Sequence, residues 1–121
     1  MLYNEKTGFN LIWSNHLPSQ PVGGVTIPWT STTEGRSPDA FAMYSILFYA
    51  SIDSAYQYYI EFGYGGFAQL KNCANVGIYG RELSINSDGF NIGRGYFYKY
   101  SDGSIIYIDN YLIPVQIRRI I

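Results

Sequence analysis

Apolar and polar residues alternate through the C-terminal part of the chain, from Tyr79 to Ile121. In its last segment Ile113, Val115 and Ile117 occupy every second position. Because side chains on a strand point alternately to its two faces, this spacing places one face of that strand in a core. The pattern predicts a meander of antiparallel strands over this part of the chain.

Two Asp-Gly pairs separate the predicted strands of the meander. Asp88-Gly89 and Asp102-Gly103 each stand between segments of alternating residues. Asp-Gly favours hairpin turns because glycine adopts a positive φ without a steric penalty. We predict a two-residue turn of a primed type at Asp102-Gly103 and a slightly longer loop at Asp88-Gly89.

The preceding part of the chain also favours strands. Phe41 to Ser51 is apolar on both faces, which predicts a strand that is central in its sheet or covered by another subunit. A helix of about three turns is the alternative, but the aromatic content favours a strand. The next segment, Ala55 to Phe62, alternates again. In all, the pattern predicts an all-β fold, a jelly-roll-like antiparallel β-sandwich of about eight or nine short strands with little or no helix.

The length of 121 residues predicts one domain. Residues 1–9 are expected to form an irregular lead-in, and residues 10–121 a single β-sandwich domain. The formal net charge of −1 gives no indication of nucleic-acid binding. No segment reaches the roughly eighteen continuous apolar residues of a membrane span, so we expect no membrane insertion. The single cysteine, Cys73, is expected to be a small buried hydrophobic residue.

The composition indicates a protein whose surface contacts a partner. Charged residues make up 14% of the chain, against roughly 25% in typical soluble domains, and there are 13 tyrosines. Tyrosine offers a large, rigid contact area with a polar end.

Tyr96, Tyr98 and Tyr100 fall on one side of a predicted strand. Such a row can stack on the apolar faces of sugar rings, and it can equally pack against a neighbouring protomer. A second candidate cluster borders the longest polar loop and offers one stacking group and two hydrogen-bonding groups to a saccharide: Trp29, Arg36 and Asp39. Trp13, in contrast, lies in the middle of a strand and is expected in the core.

Catalytic and metal-binding residues are poorly represented. The only histidine, His16, lies in a proline-rich loop and is expected to be an ordinary loop residue. Glu61 and Glu82 could supply the two carboxylates of a glycosidase, but both lie on polar strand faces that predict solvent contact. The segment Gly93-Arg94-Gly95 predicts a bulge or the close approach of another backbone. We therefore expect a non-enzymatic protein with no catalytic residue, cofactor or metal site.

Three segments resemble a known family. Gly89 to Phe97 (GFNIGRGYF) and Asp109 to Ile117 (DNYLIPVQI) are similar to the endings of tail-fibre and receptor-binding tip domains of tailed bacteriophages and prophages. Leu11 to Ser14 (LIWS) is similar to the strand that opens many such domains. The likeness spans the chain from about Asn10, and it departs from the family at Arg118 to Ile121, where an Ile-Tyr-Gly type of ending is common.

The resemblance implies a β-sandwich at the tip of a virion tail fibre, carried by an upstream shaft and assembled as a homotrimer. It implies binding of a bacterial cell-surface glycan or protein receptor, without catalysis, for a protein made in the bacterial host cytoplasm. The chain would then be a short tip protein or a fragment of a longer fibre. Two alternatives stay open: a structural virion sandwich with its aromatics in protein interfaces, and a small glycan-degrading enzyme.

Overall fold

A computed structural model describes residues 11–15, 24–38, 41–51 and 56–120, so the predicted lead-in lies outside the described residues. The described part contains ten strands and one turn of 3-10 helix at Trp29–Ser31. The strands are β1 (Leu11–Ser14), β2 (Val25–Pro28), β3 (Met43–Ser51), β4 (Gln57–Gly63), β5 (Phe67–Cys73), β6 (Gly77–Asn86), β7 (Gly89–Ile92), β8 (Tyr96–Lys99), β9 (Ile105–Tyr107) and β10 (Tyr111–Arg119). They form two antiparallel sheets. The predicted all-β sandwich is confirmed, with one strand more than the predicted number.

Sheet I contains four strands in the order β1-β10-β3-β4. The strand β3, which was predicted as strand rather than helix, is central in this sheet. Ile46 and Phe48 on its inner face are fully buried, and Leu47 on its other face is 9% exposed. The doubly apolar pattern of this segment therefore reflects a central position in the sheet.

Sheet II contains six strands in the order β2-β7-β6-β8-β9, with β5 paired to β6 as well. The long strand β6 pairs along most of its length with β5 on one edge. On its other edge, β8 pairs with Gly77 to Gly80 and β7 pairs with Leu83 to Asn86. The strands β7 and β8 therefore lie end to end beside β6, with residues 93–95 between them.

The core lies between the two sheets and is built from the residues that alternate inward on each strand. Tyr58, Ile60 and Phe62, every second residue of β4, pack against it, as does Trp13 of β1, which the sequence predicted in the core. Its buried members are Ile12, Ile27, Trp29, Ala42, Tyr44, Ile46, Phe48, Leu70, Leu83, Ile85, Phe90, Ile92, Leu112 and Ile117.

Arg81 is fully buried at the point where β7 and β8 separate. Its Nη1 donates a hydrogen bond to the Gly93 carbonyl oxygen at 2.7 Å, and its Nη2 donates to the Tyr111 and Asp109 carbonyl oxygens at 2.8 and 3.2 Å. Burial lowers the pKa of Arg81 to about 10, although the negative charge of Asp109 acts to raise it. The guanidinium is therefore charged at neutral pH. The side chain therefore joins β6 of sheet II to the start of β10 in sheet I.

The glycine pair around Arg94 marks the close approach that its sequence predicted. A Cβ atom at Gly95 would overlap the Ile108 carbonyl oxygen and lie 2.9 Å from Nη2 of Arg81. At Gly93 a Cβ atom would lie 3.1 Å from the Glu82 carbonyl oxygen. Both positions therefore favour glycine because backbone passes beside them.

Both Asp-Gly pairs lie at hairpins, but both predicted turn lengths are wrong. Asn86 pairs with Gly89, so only residues 87 and 88 turn the chain at the first hairpin. At the second, the Lys99 N–H donates to the Ser104 carbonyl oxygen at 2.9 Å, which leaves a four-residue loop, residues 100–103. Gly103 has φ 70°, whereas Asp102 does not have the positive φ that a primed turn requires. The Asp102 carboxylate accepts a hydrogen bond from the Ser104 N–H at 2.9 Å, a local bond typical of aspartate in turns.

Cys73 is exposed, so the prediction of a buried cysteine is wrong. It lies in β5 opposite Ile78 of β6. Leu70 of β5 points to the core. Cys73 is three residues further along the strand, so its side chain points to the opposite face.

Candidate functional site

A cleft of about 670 Å³ crosses the outer face of sheet II. It spans β5, β6, β8 and β9 and is lined mainly by tyrosine and isoleucine side chains with a few charged ones. We call it the tyrosine cleft, and its lining residues are Lys71, Ile78, Glu82, Gly93, Arg94, Tyr96, Tyr98, Ile105 and Tyr107. Small-molecule sites in proteins have this volume and this mixture of aromatic surface and few polar groups.

The floor of the tyrosine cleft is formed by the aromatic ring of Tyr96, which lies over Gly80. Tyr96 pairs with Gly80 across β8 and β6. A Cβ atom at Gly80 would overlap the Tyr96 ring, so the ring lies directly over the glycine backbone. Only glycine permits this contact, which brings the ring down onto the sheet.

Two more tyrosines extend this aromatic surface. Tyr107 of β9 is directly opposite Tyr96, and Tyr98 is opposite Ile105. The exposed fractions of Tyr98 and Tyr107 are 36% and 63%, so their rings are accessible to a ligand.

Arg94 is held at the border of the cleft by two contacts. Its Nη2 lies 3.0 Å from Oδ2 of Asp109 in a salt bridge, and its guanidinium lies 4.8 Å from the centroid of the Tyr107 ring. The hydrogen bond from Arg94 and the backbone N–H of Gly95, against a smaller effect of burial, hold the pKa of Asp109 below its usual value. The arginine is therefore positioned in advance, with other guanidinium hydrogens able to donate.

Glu82 and Lys71 supply one acceptor and one donor on the β5–β6 side. The Glu82 Oε1 atom accepts a hydrogen bond from Gln69 Nε2 at 3.5 Å. Burial, together with the charge of Glu82, raises the pKa of Tyr96, so its hydroxyl is a neutral donor and acceptor at physiological pH. Aromatic faces bordered by such groups suit a ligand with an apolar face and a rim of hydroxyls.

The structure places two of the three predicted tyrosines in the cleft. Tyr100 follows the end of β8, where the chain turns, and its ring is edge-on to Tyr98 with 6.4 Å between centroids. It lines a separate concavity of about 580 Å³ beside Val76 and Lys99. The predicted row is therefore shorter by one residue because the strand ends earlier.

The predicted cluster around Trp29 does not form a site in the described residues. Trp29 is 4% exposed, its ring packs on Phe90 at 4.9 Å between centroids, and its Nε1 donates to the Asn86 carbonyl oxygen at 2.9 Å. The prediction that Trp29 offers a stacking face is wrong, because the 3-10 turn carries its indole into the core. Arg36 is exposed on the loop that follows, and Asp39 lies outside the described residues.

Possible catalytic and metal-binding groups do not converge in the described ranges. Glu61 belongs to β4 of sheet I and Glu82 to β6 of sheet II, both exposed on outward faces, so this pair does not flank one substrate bond. His16 lies outside the described residues. Within the described ranges no group of three or more His, Cys, Asp or Glu residues could hold a metal ion. That part of the chain also has no helix long and apolar enough to cross a membrane.

Sequence reasoning predicted two of the nine cleft residues as binding residues, Tyr96 and Tyr98, and missed the other seven: Lys71, Ile78, Glu82, Gly93, Arg94, Ile105 and Tyr107. The signal for Tyr107 was present, because a hairpin at Asp102-Gly103 places it and Tyr96 on one face of neighbouring strands. Arg94 was noticed only for its flanking glycines. Lys71 had no local signal, since β5 comes beside β6 only in the folded sheet.

Comparison of the chain with protein-family models, with curated protein sequences and with solved structures finds no match in any of the three.

Proposed function

We propose that this domain is a non-enzymatic receptor-binding module that binds a saccharide in the tyrosine cleft. The observation that carries the proposal is the grouping of Tyr96, Tyr98 and Tyr107 on one accessible face, with Glu82 and Arg94 beside them. Hydrogen-bonding groups of both kinds thus surround an aromatic surface.

A pyranose ring matches this surface chemically. Its C–H face is apolar and can lie on a tyrosine ring, while its hydroxyls extend sideways to donate and accept hydrogen bonds. Glu82 is an acceptor, Arg94 and Lys71 are donors, and the Tyr96 hydroxyl is both. Tyrosine rings also bind at a low entropic cost, since only two torsions are fixed.

The setting we propose is the tip of a phage or prophage tail fibre, where the ligand is a bacterial cell-surface glycan. The resemblance of Gly89 to Phe97 and of Asp109 to Ile117 to fibre tip domains supports this setting. A homotrimer on an upstream shaft would present three clefts. Weak binding at each cleft would then be multiplied by the number of copies on one particle.

The test is an array of bacterial capsular, O-antigen and cell-wall polysaccharides, probed with the wild-type domain and with tyrosine variants. Tyr107→Ala is expected to weaken binding about tenfold, because one stacking contact is lost. Tyr59→Ala is the matched control, since Tyr59 on sheet I and Tyr107 have the same exposed fraction of 63%. Equal loss in the two variants, or a wild-type domain that binds no array polysaccharide, would contradict the proposal.

A second candidate function is a structural virion sandwich that makes protein interfaces. It is favoured by β9, whose residues Ile105, Ile106 and Tyr107 are 56%, 47% and 63% exposed and which pairs only with β8 among the described strands. Exposed apolar strands at a sheet edge are sites of strand pairing with another chain. A domain that is trimeric by light scattering yet binds no array polysaccharide would support this candidate over the first.

A further inference from the structure

A row of small polar side chains lies on the same outer face of sheet II, next to the tyrosine cleft. Ser84, Asn91 and Thr26 are neighbours across β6, β7 and β2. Oγ1 of Thr26 donates a hydrogen bond to Oδ1 of Asn91 at 2.8 Å, and Nδ2 of Asn91 donates to Oγ of Ser84 at 3.0 Å. We call this row the polar ladder.

The polar ladder keeps hydrogen-bonding capacity for a ligand. After these two bonds, the Ser84 hydroxyl hydrogen and the second N–H of Asn91 can each donate, and the Thr26 oxygen can accept. The mutual bonds hold the three side chains in one orientation. A ligand therefore meets donors and acceptors that are already ordered, which lowers the entropic cost of binding.

The tyrosine cleft and the polar ladder adjoin at Glu82, which lines the cleft and is two residues from Ser84 on β6. Glu82 and Ser84 are on the same face of β6, and Gln69 lies beside Glu82 on β5. On its other side is Gly93, whose backbone N–H donates to the Glu82 carbonyl oxygen at 2.8 Å. Because Gly93 has no side chain, the path along β6 from the cleft to the ladder has no bulky group on that side.

We propose that the tyrosine cleft and the polar ladder form one extended site for a linear saccharide chain that lies along β6. This inference rests on the proposed function and specifies its ligand class: an oligosaccharide or polysaccharide segment rather than a terminal monosaccharide. One end of the segment stacks in the tyrosine cleft. A sugar unit further along the chain hydrogen-bonds through its hydroxyl or acetamido groups to the polar ladder.

The dimensions of the face agree with a ligand of several sugar units. Ile78 in the cleft and Ser84 in the ladder are six residues apart on β6, which corresponds to about 20 Å along a strand. A monosaccharide occupies only the cleft. The polar ladder therefore contributes only when the ligand is long enough to reach it.

The experiment measures affinity as a function of ligand length. The polysaccharide that binds best on the array is partly hydrolysed, and fragments of two, four and six sugar units are titrated into the domain by calorimetry. The wild-type domain is expected to bind the longest fragment about tenfold more tightly than the shortest, the effect of one or two added hydrogen bonds.

Three variants assign that gain to residues. The double variant Thr26→Val with Asn91→Ala is expected to bind all fragments with the affinity that the wild type has for the shortest. Tyr96→Ala is expected to weaken binding of every fragment. Gln57→Ala is the control for loss of an exposed amide, because Gln57 lies on β4 of sheet I. Thermal unfolding of each variant checks that it is folded.

The outcomes separate this inference from the function on which it rests. Equal affinity for all fragment lengths, or a length-dependent gain that survives in the double variant, overturns the extended site and leaves the tyrosine cleft. Failure of every array polysaccharide to bind overturns both. A gain that the double variant alone removes establishes the extended site.

Discussion

Two aromatic residues of β8 lie over glycines of β6, one on each face of the same strand pair. Phe97 lies over Gly77 on the inner face, where a Cβ atom on the glycine would be 2.5 Å from the ring and would overlap the Tyr98 carbonyl oxygen. Tyr96 lies over Gly80 on the outer face. An aromatic ring thus packs on a glycine on both faces of the strand pair, but one ring is buried and the other lines a cleft.

The difference comes from what lies on the other side of each ring. Phe97 is 6% exposed on the face of sheet II that is turned toward sheet I. There Tyr79 of its own sheet packs against it at 4.6 Å between ring centroids, and Tyr79 stacks in turn on Tyr111 of sheet I at 4.2 Å. Tyr96 lies on the outer face of the same sheet, where it lines the open tyrosine cleft. A ring over a glycine is thus buried on the face turned toward the other sheet and accessible on the outer face.

The largest expected effect is that of Arg81→Met, which removes the side chain that holds β6 to the segment between β7 and β8. Three carbonyl oxygens, those of Gly93, Asp109 and Tyr111, lose a buried donor. We expect the free energy of unfolding to fall by roughly 4 kcal/mol in urea denaturation, because buried acceptors are left without partners. The contact of Phe97 with Gly77 and that of Tyr96 with Gly80 would both be disturbed.

Arg94→Met is the matched control for this substitution. Arg94 has a side chain that is 52% exposed and forms a surface salt bridge, so its removal should cost less than about 1 kcal/mol. Comparable losses for the two arginines would show that Arg81 does not hold the strands as we describe.

Gly77→Ala and Gly80→Ala compare the two faces of sheet II most directly. We expect each to lower the free energy of unfolding by less than Arg81→Met does. At Gly77 the new methyl group meets backbone, which cannot move without disturbing the sheet, so we expect a loss of roughly 3 kcal/mol in the free energy of unfolding. At Gly80 it meets the Tyr96 side chain, which can turn outward at a cost of about 1 kcal/mol.

Saccharide affinity should rank these two variants in the opposite order. Displacement of the Tyr96 ring in Gly80→Ala is expected to weaken binding of the array polysaccharide by about tenfold. Urea denaturation and calorimetric titration of the same samples measure both quantities. If Gly80→Ala binds as the wild type does, the ring over Gly80 is not the floor of the binding site.

The smallest expected effect concerns only the outer face and depends on pH. The pKa of Asp109 is lowered in the folded protein, chiefly by its hydrogen bond with Arg94. Its contribution to stability is therefore complete above the unfolded pKa, about 4, and is lost as pH falls through the lower folded value. The difference in free energy of unfolding between wild type and Asp109→Asn should be constant, below about 1 kcal/mol, near neutral pH and should shrink in acid. A difference that grows as the pH falls below about 4 would contradict this assignment.

Local sequence pattern was sufficient for the strands and for two residues of the tyrosine cleft, Tyr96 and Tyr98. The predicted two-residue turn at Asp102-Gly103 would pair Tyr98 with Tyr107, whereas the structure pairs Tyr98 with Ile105. This register differs by two residues, and a shift of two keeps every side chain on its face. Tyr96 and Tyr98 were therefore placed on one face correctly even though the turn was wrong.

Residues outside regular alternation could not be placed in this way. Trp29 follows Pro28 in a short 3-10 turn, and no periodicity indicates whether such a residue points inward. The two turn lengths were wrong for a related reason: side-chain hydrogen bonds, such as that of Asp102 to the Ser104 N–H, select the turn type locally.

By itself the sequence determined the fold class and the inward or outward direction of residues in its regularly alternating segments, because the two-residue period of a strand is a local property. The tertiary structure alone decided which outward residues form a site. Lys71, Glu82 and Tyr96 lie on three strands that meet only when β5 and β8 pair with opposite edges of β6. It also decided that Phe97 is buried and that Tyr96 lines an open cleft, because that depends on which face of sheet II is turned toward the other sheet.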